Sequence, residues 1–220
     1  VLGFAAGFMA IAIGGEVALA ADKINVGALR FTSHSASFVA FEREYFKNNN
    51  LDVTFKFFQA AQPMAVAIAS GDVHVGVTAI SGGLINLAKK GAIKVVGGAL
   101  HEEKGIDGQM ILVSKKAYDA GVTSPDKLKG RTYGITQAGS SFHYMAHKIA
   151  QKEGFPGSEI KVKPLQKVGA IIGALKSGQI DAWSIVPHIA KALSKGPAVV
   201  SIGKITDYIP DYQVTTVFTS

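Results

Sequence analysis

Tyr133–Ile149, YGITQAGSSFHYMAHKI, is the stretch whose reading decides the fold. It runs as a short strand, a small-residue turn at Ala138-Gly139 and a helix opening at Ser140-Ser141. Phe142, Met145, Ala146 and Ile149 then recur at helical spacing. A serine at the start of such a helix is a good N-cap, because its hydroxyl oxygen accepts from a backbone N–H that the helix leaves unpaired. A helix that opens in a Gly-Ser turn also aims free N–H groups and the positive end of its dipole forward, an arrangement that suits an anion. Taken alone, the stretch reads more simply as a well-capped helix.

The pattern occurs twice. Ser37-Phe38 opens a helix after the strand Ile24–Leu29, as Ser141-Phe142 does after Thr132–Thr136, 104 residues later. AIASGDVHVGV (Ala67–Val77) parallels ALKSGQIDAWS (Ala174–Ser184), with Ser70 and Ser177 107 residues apart. Each is a helix end, a Ser-Gly stop and a short β-run. Two strand–helix units in the same order at nearly one offset predict two lobes of similar topology, and facing lobes would aim two helix N-termini into one cleft.

Composition allows this. The 220 residues, 48% apolar and 18% charged, are enough for two small lobes with real cores. Cysteine is absent, which removes disulfides, a thiolate nucleophile and Cys-based metal sites. The net charge of +7 comes from lysines scattered singly or in pairs, with no basic run interleaved with aromatics. That pattern argues against nucleic acid and fits a small anionic ligand. At the N-terminus, VLGFAAGFMAIAI and the A-x-A-like Ala18-Leu19-Ala20 predict a signal peptide over residues 1–20. The apolar run is too short to span a bilayer. Export without cysteine points to the periplasm.

Strands alternate with helices from Lys23 onward, which predicts βαβ units and largely parallel sheets covered on both faces. Lobe one is expected over 21–113 and lobe two over 114–204. Residues 205–220 are expected to form the return crossing and the start of the C-terminal part of lobe one. Crossings near Val113–Lys116 and Ile205–Tyr212 would form the hinge.

The order of segments EREYFKNNNLDV, AIASGDVHVGVT, GQMILVSKKA, SPDKLKGRTYGITQAGSSFHYMAHKIAQKEGF and ALKSGQIDAWSIVPHIAKAL resembles the nitrate/sulfonate/taurine branch of periplasmic substrate-binding proteins, with the related thiamine-pyrimidine-type proteins. The resemblance implies a two-lobe, type II-like α/β periplasmic-binding-protein fold. It also implies a monomer that delivers a small anionic solute to the membrane permease of an ABC importer, without cofactor or metal. Members of that family continue well beyond Gln213–Phe218, so a chain ending at Ser220 is expected to lack helices that complete lobe one and to leave apolar surface open there.

Ligand is expected on loops at the C-terminal ends of strands, as sheet logic also requires. These loops hold Ser33, His34 and Ser35 after the first strand, and Thr78 and Ala79 after Val73–Val77. In lobe two they hold Gly139, Ser140, Ser141 and Phe142, with Trp183 and His188 around the strand Ile180–Ile185. His34 reads equally as a solvated loop residue. By strand alternation Trp183 and Ile185 face the same side, which leans towards core, and His188 could simply cap its helix. Enzyme readings are weaker. His143 and His147 stand at i, i+4, but Tyr144 occupies the place of a zinc protease's glutamate. There is no G-x-S-x-G elbow and no phosphate-binding glycine motif. The alternatives that the resemblance leaves open are a thiamine-pyrimidine-precursor binding protein and a pyrimidine-forming enzyme of the same fold.

Overall fold

The computed structural model describes residues 20–220, so the expected signal peptide lies, all but Ala20, outside the described residues. The first half of the chain forms β1 (Asp22–Ala28), α1 (Ser35–Glu42), the short α2 (Tyr45–Asn48), β2 (Leu51–Phe57), α3 (Ala61–Ala69), β3 (Val75–Ala79), α4 (Gly82–Lys89) and β4 (Lys94–Gly98). After β5 (His101–Glu102) come β6 (Met110–Ser114), α5 (Lys115–Asp119), β7 (Thr132–Ile135), α6 (Ser141–Lys152), β8 (Lys161–Pro164), α7 (Val168–Lys176), β9 (Ala182–Ile185), α8 (Pro187–Ser194) and β10 (Val199–Lys204). β11 (Tyr212–Gln213) and β12 (Thr215–Thr219) follow.

Two five-stranded sheets result, ordered β2-β1-β3-β12-β4 and β8-β7-β9-β6-β10. The orders match strand for strand, so the duplication in the sequence is a duplication of topology. α3 and α7 both end at a serine, Ser70 and Ser177, followed by a left-handed glycine. The start of the repeat lies elsewhere than expected. The residue equivalent to Ser141, the first of α6, is Ser35, not Ser37, and the helical run that follows breaks at Glu44, which is left-handed.

In each five-stranded sheet four strands run one way and one runs against them. β1 pairs parallel with β2 and β3, and β7 with β8 and β9, whereas β12 and β6 run against both of their neighbours. Both enter from the cleft side, starting opposite the C-terminal ends of β3 and β9 (Thr215 against Ala79, Met110 against Ile185), and must therefore run the other way. This moves the lobe boundary. Gln109–Ser114, expected in lobe one, belongs to the second sheet, where β6 bridges β9 and β10. The chain crosses between sheets before Met110, and the crossings pair through β5 and β11, Glu102 opposite Tyr212.

The lobe-two core is continuous. α6 buries Phe142, Met145, Ala146, Ile149 and Ala150, the stripe that its spacing predicts, against Tyr133, Ile135 and Trp183. In lobe one, Met64 and Ile68 of α3 reach the sheet where Gly27 and Gly76 carry no side chain. The opposite face is thinner. α1 buries none of its residues, and Val39, Phe41, Val95 and Val96 are exposed. No helix among the described residues is long and apolar enough to cross a membrane.

Two glycines test this packing. A Cβ at Gly134 in β7 would lie 2.6 Å from Ile180 Cδ1 and 2.7 Å from Ile171 Cγ2, both in fully buried side chains. Gly134→Ala is expected to destabilise by about 1–3 kcal/mol through overpacking. Gly173, exposed in α7 with nothing near its would-be Cβ, is the control. Gly173→Ala should stabilise by about 0.5–1 kcal/mol. Urea unfolding of the two variants against the parent checks both signs.

Candidate functional site

The C-terminal ends of the parallel strands of both sheets face one another, and the helices that follow five of them, α1, α3, α6, α7 and α8, begin around the same space. A cavity of about 50 Å³ lies there. Its wall includes His34 at the N-cap of α1, Ala60 and Ala61 at the start of α3, and Ser140, Ser141 and Phe142 at the start of α6. Val168 begins α7 and Val186 caps α8 on the same wall. Of these five helices only α6 has a side-chain cap, so the first-turn N–H groups of the other four are not satisfied by their own caps. Each N-terminus carries about half a positive charge. Among the described residues no Lys, Arg, Asp or Glu lines the cavity. Its potential comes from aligned peptide dipoles and hydroxyls, in a mostly apolar wall.

The α6 turn is built as its sequence suggests. Ser140 Oγ accepts from the His143 N–H at 3.4 Å, and this is the cap. The cap uses that oxygen as an acceptor and leaves its proton free to donate, as it leaves the Ser141 hydroxyl. Gly139 sits at φ +75°, and its carbonyl accepts the Gly82 N–H of lobe one at 2.9 Å. On another side of the cavity Thr32 Oγ1 lies 2.9 Å from His188 Nδ1. Both contacts run between the lobes.

His34 is 2% exposed. Its Nε2 lies 2.6 Å from the Val77 carbonyl, which can only accept, so Nε2 carries the proton. Nδ1 then accepts from Ser33 Oγ at 3.0 Å. Burial lowers the His34 pKa to about 4, outweighing the Val77 carbonyl, so the ring is neutral at pH 7. Thr78 is buried on the same wall.

A family model described as NMT1/THI5 like matches residues 31–220. The chain belongs to the NMT1/THI5-like family. No curated protein matches it. Among solved structures, the periplasmic aliphatic sulphonate binding protein SsuA from Escherichia coli is similar at a TM-score of 0.68 and 21% identity, over 90% of this chain and 61% of its own. The alkanesulfonate-binding protein SsuA from Xanthomonas axonopodis pv. citri, bound to MOPS, gives 0.73 and 20%, over 90% and 65%. The periplasmic nitrate-binding protein NrtA from Synechocystis PCC 6803 gives 0.73 and 11%, over 90% and 55%. The likeness shows a shared two-lobe binding-protein fold, and this chain spans 55% to 65% of the length of these three.

In this NMT1/THI5-like chain the expected site residues divide into four groups. Ser33, His34, Thr78, Ala79, Ser140, Ser141 and Phe142 line the cavity together. Gly139 faces a neighbouring, more open cleft with Ser81, His143, Tyr144, His147 and Tyr212. Ser35 and His188 stand at an outer mouth beside Arg30, whose guanidinium lies 3.9 Å over the Phe57 ring. Trp183 is fully buried behind Phe142, 5.5 Å between ring centroids, and does not reach the cavity. It belongs to the lobe-two core, because it stands two residues before Ile185, back from the end of β9 that reaches the cavity. His143 and His147 gain no third metal-ligating partner among the described residues. Sequence reasoning missed Gln109 and Thr136, both buried on the cavity wall. Thr136 follows β7, where strand-end logic could have found it. Gln109 lies before β6 and carried no such signal.

His34 gives a pH test. Its folded pKa of about 4 lies below the unfolded 6.5, so the unfolded chain binds the proton more readily. The stabilisation is present above pH 6.5 and is lost as pH falls towards 4, at most about 3 kcal/mol. Buried Glu102, with its pKa raised by burial, works in the opposite sense, its contribution fading as pH rises. Comparing the parent with His34→Gln by urea unfolding at pH 7 and pH 4.5 isolates the histidine. The parent should lose more stability than the variant over that interval, and equal losses contradict the buried neutral ring.

Proposed function

We propose that this chain is the solute-binding component of an ABC importer and holds a small anion, inorganic or organic, in the interlobe cavity. One observation carries the reading: five helix N-termini meet around a cavity that no ionised side chain lines. Such a wall offers donors and positive potential but no formal counter-charge. It suits an oxoanion that brings acceptors only. A water needs about 10–15 Å³ of such space, so about 50 Å³ admits a headgroup of a few heavy atoms. The sulphonate- and nitrate-binding proteins that share this fold point to the same ligand class. A periplasmic location, a membrane permease as partner, action as a monomer and the absence of catalysis go with the reading.

The anion clamp of lobe two is assigned to the hydroxyls of Ser140 and Ser141 and the N–H groups of Ser141 and Phe142. Thermal-shift screening of the whole protein against nitrate, short alkanesulfonates, aromatic carboxylates and aminopyrimidines identifies the class, since a ligand of the native state raises the melting point. The pyrimidines separate out the thiamine-precursor alternative, and consumption of any bound compound would reveal an enzyme. With the best anion, Ser140→Ala/Ser141→Ala should weaken binding at least about tenfold, because a charge-assisted hydrogen bond contributes roughly 1.5–3 kcal/mol. A variant that melts earlier by the loss of a cap, about 1 kcal/mol, yet binds as tightly as the parent would refute the clamp.

A further inference from the structure

The cavity borders a second pocket, of about 140 Å³, that a headgroup of a few atoms does not use. Leu29, Phe31 and Val168 line both. The second pocket lies where β2 ends, at Phe57, Phe58 and Gln59, and where α7 begins, at Val168 and Gly169, so both lobes contribute to it. β2 is the edge of its sheet away from β4, and β8, which leads into α7, is the edge of the other sheet away from β10. The crossings leave from β4 and β10. The pocket therefore stands on the side of the cleft opposite the hinge.

Arg30 gives this pocket a formal charge, which the cavity lacks. It lines the pocket together with Phe57, and its guanidinium lies 3.9 Å over the centroid of the Phe57 ring. A ring face attracts the cation but offers no oxygen to its five N–H donors. Arg30 is exposed, and among the described residues it enters no ion pair. No Asp or Glu lines the pocket. A cation is thus stacked in place at the entrance, next to the anion cavity, with no carboxylate of the protein on it.

We infer that the ligand is a two-ended organic anion, with one acidic headgroup in the cavity, an apolar body in the second pocket and a second acidic group on the Arg30 guanidinium. The inference rests on the anion-binding reading above and narrows the ligand class. An apolar cavity of about 150 Å³ holds a benzene ring, so the second pocket has room for one ring or a short chain. Phe31, Phe57 and Phe58 give such a body aromatic surface to pack on. The planar guanidinium can donate to both oxygens of a carboxylate, which adds direction to attraction. The two ends are recognised differently: peptide dipoles and hydroxyls hold the headgroup, and a formal charge holds the far end, nearer to water. Arg30 is then a specificity-determining residue, because a monoanion of the same shape leaves it without a partner.

The test measures dissociation constants of the whole protein at one fixed ionic strength for four probes, nitrate, ethanesulfonate, benzenesulfonate and 4-sulfobenzoate. They are compared with those of Arg30→Met, which keeps an apolar stem and removes the charge. The parent should bind benzenesulfonate more tightly than ethanesulfonate, and 4-sulfobenzoate at least about fivefold more tightly than benzenesulfonate, the gain of one charge-assisted pair at an exposed site. Arg30→Met should erase the second preference and leave nitrate, which has no far end, bound as in the parent. A parent without that preference, or a variant that keeps it, overturns the role of Arg30. So does a variant that loses nitrate as well, because Arg30 then serves the headgroup or the fold. A parent that binds nitrate or ethanesulfonate but no aromatic probe more tightly overturns the two-ended ligand and leaves the anion reading standing. A parent that binds none of the four refutes the anion reading itself, before any variant is compared.

Discussion

β6 and β12 each cross from one lobe and insert, antiparallel, between strands of the other lobe's sheet, β6 between β9 and β10 and β12 between β3 and β4. The rest of the molecule depends on this exchange. Each inserted strand completes a ladder whose backbone groups would otherwise lie unpaired, so neither sheet is whole without chain that has passed through the hinge. Both insertions start at the cleft end of their sheet. The parallel strands therefore present their C-terminal ends to the cleft, and the helices that follow them start there.

From that geometry the electrostatics of the cavity follow without any charged side chain. Helix N-termini that would be scattered over a protein surface are brought to one cavity by two copies of the same strand–helix order. Their dipoles act across a mostly apolar wall, where screening by water is weak. The neutral His34, kept uncharged by burial, and the hydroxyls of Thr78 and Ser141 add polarity without net charge. The overall +7 of the chain lies on exposed lysines and bears on approach of an anion more than on its retention.

The crossing region is more than a tether. A fully buried carboxylate, Glu102, sits where β5 and β11 pair and takes both hydrogen bonds from one backbone N–H. Burying a carboxylate is costly unless its oxygens are satisfied, and here that bond organises the turn between Glu102 and Gln109. The lobes also touch directly through Gly82 with Gly139 and Thr32 with His188, so closure and hinge geometry are set together.

Local signals determined much of this protein. The apolar spacing of Phe142, Met145, Ala146 and Ile149 specified α6 and its buried stripe, and Ser140 specified its cap. Ser-Gly stops at Ser70 and Ser177 marked the repeat, and the repeat marked two lobes. Strand-end logic placed Ser33, His34, Thr78, Ser140 and Ser141 on one wall. What local pattern could not decide is which sheet accepts a strand, since pairing is a long-range property. Gln109–Ser114 reads as a buried strand in either lobe, and only its register against Trp183 and Ser184 assigns it to the second. The sites of Gln109 and Glu102 were hidden for the same reason, as their roles arise from two segments a hundred residues apart meeting at the hinge. Trp183 lies outside the site because Phe142 packs over it deep in β9, and Ser35 because it opens to the outer mouth, and both are settled by packing. Backbone propensities and caps act over a few residues and are legible in sequence, whereas burial belongs to the folded whole.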